Sequence, residues 1–167
     1  MTDLEWRGAE RADRTSIQAF RSTAPAAKRS GERVLPHPVA WGSYVDKRIH
    51  DLKPPLAPGR VLRIGRNLGG KIAAITLIVE EPGVEFFHIG LIAVSLEHRG
   101  SRLGDAVIDQ ALDIIAIRAR TRNLRSVIVS ANIDERNIPS TKCFVRNGFT
   151  LDRVADGYGQ WLLVLDI

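Results

Sequence analysis

Apolar and polar positions change their period several times along the chain, and each change predicts an element. A short alternating stretch at Leu4–Arg7 reads as a first strand. A helix follows, through Phe20, capped by Asp13 or Thr15. Trp41, Val45 and Ile49 recur at i, i+4, i+8, predicting a helix over Pro38–His50 with Pro38 in its first turn. Val61–Arg66 and Lys71–Val79 read as strands, the second rich in β-branched residues, with a turn at Leu68-Gly69-Gly70 between them. After Glu81-Pro82-Gly83, the long apolar run Val84–Val94 predicts a buried central strand. Its alternation would set His88, Gly90 and Ile92 on one face.

The helical period returns over Ser101–Arg120, where Leu103, Val107, Ala111, Ile114 and Ile115 share a face. Arg118, Arg120 and Arg122 stand at its C-terminal end, where the dipole favours cations. Ser126–Ala131 predicts a strand, and Ile138–Asn147 a helix closed by Gly148. Phe149–Val154 and Gln160–Asp166 form a last hairpin, turning at Asp156-Gly157. The order β-α-α-β-β-β-α-β-α-β-β predicts an α/β fold, a mixed sheet with helices on its faces.

With 167 residues the chain fits a single domain. No apolar run reaches the roughly 20 residues that span a bilayer, and the N-terminus MTDLEWRGAERAD has no signal-like apolar region. A cytoplasmic protein with no membrane contact is therefore expected. A single cysteine, Cys143, excludes an internal disulfide, and four scattered histidines argue against a metal site. The net charge of +5 points to an anionic ligand without saying which.

One stretch narrows that question. Ile92-Ala93-Val94 ends a buried strand, and Arg99-Gly100-Ser101-Arg102-Leu103-Gly104 runs through a glycine-containing loop into a helix start. Free backbone N–H groups and the dipole at such a start bind an anion such as phosphate. Two glycines in a tight strand-to-helix turn are the plainer alternative, and on local pattern both stand. Neither the P-loop pattern nor the dinucleotide-binding glycine fingerprint is present.

Ile92–Gly104 resembles the acetyl-CoA-binding motif of the GNAT N-acetyltransferases, a strand ending in Ala-Val followed by Arg/Gln-x-x-Gly-x-Gly/Ala. Arg102 stands where the family usually has glycine. Asn137, Ser140, Cys143-Phe144 and Gly148-Phe149 match the spacing of the family's later signature, with Phe144 in place of its usual tyrosine. The resemblance implies a mostly antiparallel sheet splayed at its middle strands and flanked by about four helices. It implies acetyl-CoA in the splay: Ile92, Ala93 and Val94 along the acetyl and pantetheine parts, Arg99–Gly104 around the pyrophosphate, and Asn137, Ser140 and Phe144 on the pantetheine arm. Arg146 or Lys142 could reach the adenosine phosphate, or simply be solvated.

The implied reaction moves an acetyl group from acetyl-CoA directly to a primary amine of a small molecule or a peptide. The family often has a glutamate at the position of His88, and a histidine suits the same work as general base. A histidine packed in a central strand is the competing reading, and Glu85 is a second candidate base. Trp41, Tyr44 and Tyr158 are candidate acceptor-binding residues, with His37 and Trp161 behind them. Tyr158 could also replace the missing tyrosine hydroxyl. Cys143 reads as a packed apolar residue rather than a nucleophile. Two alternatives remain: a non-catalytic acyl-CoA-binding module, for which Arg102 and Phe144 speak, and an acetyltransferase acting on an RNA-linked amine. No aromatic-interleaved basic stripe supports nucleic acid. A homodimer is compatible with the sequence.

Overall fold

The run FFHIGLIAV forms the strand on which the molecule is organised. In the computed structural model, which describes residues 4–24 and 40–167, it spans Phe86–Val94 (β4), with antiparallel β3 (Ile72–Glu80) on one side. Parallel β5 (Ser126–Asp134) lies on the other. β2 (Arg60–Arg66) and β1 (Glu5–Gly8) extend the sheet beyond β3. β7 (Tyr158–Asp166) and β6 (Thr150–Ala155) extend it beyond β5. The order is β1-β2-β3-β4-β5-β7-β6, and β4–β5 is the parallel pair in an otherwise antiparallel sheet. That pair needs a crossover, which the longest described helix, α3 (Leu103–Thr121), supplies.

The helices lie on both faces. Ile108, Ala111 and Ile115 of α3 pack with Cys143 and Phe144 of α4 (Ile138–Arg146) against Ile78, Phe87, Ile89 and Val129. On the opposite face, Ile17 of α1 (Arg14–Ala19) and Ile49 of α2 (Ala40–His50) cover Ile75, Leu77, Leu91 and Ala93. The expected stripe of α2 appears as a buried Ile49, a partly buried Val45, and Trp41 at the cavity described below. The start expected at Pro38, like His37, lies outside the described residues.

Several boundaries shift. β5 runs on to Asp134, because residues beyond Ala131 pair with β7 after β4 has left them. α3 begins at Leu103 rather than Ser101. Asp13 precedes α1 as expected but makes no side-chain cap bond. Arg7 and Arg66 take its carboxylate, at 2.6 and 2.7 Å, together with the Glu10 backbone N–H at 2.7 Å. Two guanidinium donors outcompete a helix N–H for a buried anion.

Candidate functional site

β4 and β5 pair only from Phe86↔Ile128 to Ile89↔Ala131. Beyond that point the strands diverge and leave a gap between Gly90–Val94 and Asn132–Asp134. The register with β3 slips at the same place: Ile78 pairs Ile89 but Leu77 pairs Leu91, so Gly90 is the extra residue of a β-bulge. The bulge turns the strand over. Phe87 and Ile89 face the α3 side, whereas Leu91 and Ala93 face α1 and α2. Ile92 and Val94 then pack toward α3. His88 and Ile92 therefore lie on opposite faces, contrary to simple alternation, because a one-residue bulge inverts every side chain after it.

The gap opens into two cavities. One, of about 540 Å³, is lined among others by Tyr44, Arg48, His88, Asp134, Arg153 and Tyr158. The other, of about 460 Å³, runs past Ala93, Val94, Arg99, Gly100 and Gly104. Trp41, Val45, Ile92, Asn137, Ser140 and Phe144 line both, so the two meet across the splay. Ser101, Arg102 and Leu103 are not among the lining residues. Ser101 Oγ donates to the His98 carbonyl at 2.7 Å, and Leu103 is buried against Ala73 and Ala74. Trp161 packs against the main core cluster rather than into either cavity.

Glu85 stands elsewhere. It precedes β4, is exposed, and offers its carbonyl to Ile128 N–H at 2.8 Å. The paired Phe86–Ile89 segment separates it from the splay, and it lines neither cavity. Its place on the strand suggested a base, but the paired length of β4 keeps it away.

The second cavity has a mostly apolar wall and reaches Arg99, Gly100 and Gly104 at the start of α3. No side chain caps the α3 N-terminus, and of its first-turn N–H groups that of Asp105 donates to the Arg102 carbonyl at 3.1 Å. Gly100 has φ +81°, and a Cβ there would meet nothing within 4 Å. Arg102 also lies in the left-handed region, at φ 56° and ψ 19°, which explains why glycine suits that position. Asn137 caps α4 by accepting the Ser140 N–H at 3.3 Å. Arg146 is committed to Asp105, with bonds of 2.9 and 3.1 Å to its two oxygens, and Lys142 is solvent-exposed. Cys143 donates its thiol to Asp105 at 3.1 Å. Burial, and after it the Asp105 carboxylate, pushes that thiol up to about 12. A neutral thiol is no nucleophile.

The first cavity holds the titratable group. His88 Nδ1 lies 2.8 Å from Ser130 Oγ, on the paired residue of β5. Burial, and after it the Arg48 charge, holds the imidazole below its ordinary 6.5, with Glu81 acting the other way. It is neutral at pH 7 and able to accept a proton. Arg136 binds Asp134 at 2.9 and 2.6 Å and lies 5.6 Å from the Trp41 ring. Arg48, Asp134, Arg153 and Asp156 line this cavity without having been singled out from sequence. Arg48 alone gave a signal, four residues after Tyr44 on the same helix face. Among the described residues, no group of histidine, cysteine and acidic side chains could hold a metal, and no helix is long and apolar enough to cross a membrane.

Residues 30–149 match the model of the acetyltransferase (GNAT) family, and the chain belongs to that family. Among solved structures, it superposes on the spermidine N-acetyltransferase of Vibrio cholerae in complex with CoA and spermine. The TM-score is 0.64 at 15% identity, over 98% of this chain and 95% of that one. Nourseothricin acetyltransferase gives a TM-score of 0.61 at 16% identity, over 98% of both chains. At such identities the likeness is one of fold. No curated protein matches the chain.

Proposed function

We propose that the protein is an N-acetyltransferase that moves the acetyl group of acetyl-CoA directly to a primary amine. One observation carries this reading. A neutral histidine lines a cavity that meets the groove running to the uncapped α3 N-terminus, with Ile92, Asn137 and Phe144 common to both. The Arg99–Gly104 loop would hold the pyrophosphate through backbone N–H groups, with Gly100 and Gly104 allowing close approach. The unpaired edge of β4 over Gly90–Val94 would bond the pantetheine arm.

With Nδ1 donating to Ser130, His88 Nε2 carries the lone pair. It takes the proton of the acceptor ammonium, and the amine nitrogen then attacks the thioester carbonyl. His88 passes that proton to solvent; the N–C bond forms, the C–S bond breaks, CoA departs as thiolate, and the second proton on the attacking nitrogen leaves to solvent to give the neutral amide. Phe144 has no hydroxyl to protonate the leaving group. A thiol of pKa roughly 8.5 can leave without one near neutral pH. Tyr158, on the wall of the same cavity, is the alternative donor that the sequence suggested.

Release of free CoA from acetyl-CoA, measured against a panel of primary amines, tests the proposal. Amine-dependent release supports it. Acetyl-CoA binding without release on any amine would favour a non-catalytic acyl-CoA-binding module, the reading that Phe144 in place of tyrosine keeps in view.

A further inference from the structure

The wall of the acceptor cavity has an uneven charge balance. Asp134 is neutralised by the two bonds from Arg136. Arg48 has no carboxylate partner among the described residues. Its Nη1 donates to the Gly90 carbonyl at 3.1 Å, and its guanidinium lies 5.8 Å from the Tyr44 ring. Arg153 likewise lacks an ion pair among the described residues, with Nε donating to the Gln160 side-chain oxygen at 2.7 Å. Against these two guanidinium groups, the described cavity wall offers one carboxylate without an ion pair, Asp156.

We propose that the acceptor is a compact primary amine that also carries an oxyanion, carboxylate or phosphate, and that Arg48 binds it. The inference rests on the acetyltransferase reading of the same cavity. Three observations carry it. Arg48 spends one bond on Gly90 and keeps further N–H donors for a ligand, in the planar fork that suits oxyanions. Its anchor residue lies two positions along β4 from His88, and Arg48 and His88 both line the same cavity. An acceptor a few bonds long can therefore place its amine at His88 and its oxyanion at Arg48. The Tyr44 ring steadies the guanidinium from one side. A polyamine of similar length would instead bring a second ammonium against Arg48, an unfavourable like-charge contact.

The test compares four acceptors of similar size: 3-aminopropanoate, 2-aminoethyl phosphate, propylamine and spermidine. The wild-type kcat/KM should be at least about tenfold higher for the carboxylate or the phosphate amine than for propylamine, and lowest for spermidine. The two anionic arms identify which oxyanion is preferred. Arg48→Gln should collapse the anionic advantage to within about twofold, and Arg48→Lys should keep part of it. Acetyl-CoA affinity reports that each variant is folded. If no amine is acetylated, the acetyltransferase reading fails separately. Calorimetric binding of the same four compounds in the presence of CoA then decides the inference, with the same order expected. Spermidine as the best acceptor or tightest ligand, or an anionic preference that survives Arg48→Gln unchanged, would overturn it.

Discussion

His88 Nδ1 and Ser130 Oγ stand 2.8 Å apart, on residues paired across the parallel strands β4 and β5 one pair before those strands separate. The bond sets the ring at the mouth of the splay. In the proposed mechanism Nδ1 donates to this hydroxyl and Nε2 takes the proton. Ser130→Ala should lower kcat by about tenfold with little change in the KM for acetyl-CoA, since Ser130 positions the base but lines neither cavity. Ser130→Thr, which keeps the hydroxyl, should recover most of the loss. Steady-state kinetics on both variants check this.

The same ring fixes a pH limb. Burial, then Arg48, keeps His88 below 6.5, so the proposed base is already deprotonated at neutral pH. With an acceptor whose own amine ionises well away from this range, the acid limb of kcat/KM should fall below pH 6.5. The sign for stability follows. The unfolded histidine binds a proton more readily than the folded one, so this group costs stability as pH drops below about 6.5. A pH–rate profile with a limb above 6.5 would assign the proton transfer elsewhere.

Arg102 occupies a left-handed conformation that side chains avoid, at a cost of about 1–2 kcal/mol. Arg102→Gly removes that strain but adds freedom to the unfolded chain, worth about 0.5–1 kcal/mol. The net expectation is a gain of up to about 1.5 kcal/mol, or about 3–6 °C in Tm. Thermal unfolding followed by circular dichroism would record it.

Asp13 is 2% exposed and is held mainly by Arg7, against the cost of its burial, with further bonds from Glu10 N–H and Arg66. Its carboxyl lies well below the usual carboxylate range. Its stabilisation is therefore complete above the unfolded value near 3.9 and is lost as pH falls below it. Asp13→Asn should cost about 3 kcal/mol at pH 7 and flatten the acid side of the stability curve. Urea denaturation between pH 3 and 7 measures both effects.

The order of elements was legible because each period change in the sequence is local, and local periods survive into the fold. The two motifs were legible for the same reason: a strand end followed by glycine-containing loop, and a helix capped by Asn137, are short-range patterns. The bulge at Gly90 was not, because it is a mismatch between β4 and β3 and neither strand records it alone. Its consequence, His88 and Ile92 on opposite faces, was hidden with it. Glu85 looked adjacent to the site in sequence, yet the paired part of β4 holds it apart. The partners of Arg146 and Asp13 are also long-range. Asp105 lies 41 residues from Arg146, and Arg66 lies 53 from Asp13, so only the folded arrangement shows that these charges are already used.

The proposed acetyl transfer depends on His88 as its base. Its most direct test is turnover by His88→Ala, measured as CoA release with a productive amine, beside acetyl-CoA affinity measured by calorimetry. Turnover (kcat) should fall about 10²–10⁴-fold, with acetyl-CoA affinity within about twofold of wild type. A His88→Ala enzyme that turns over at the wild-type rate would contradict it.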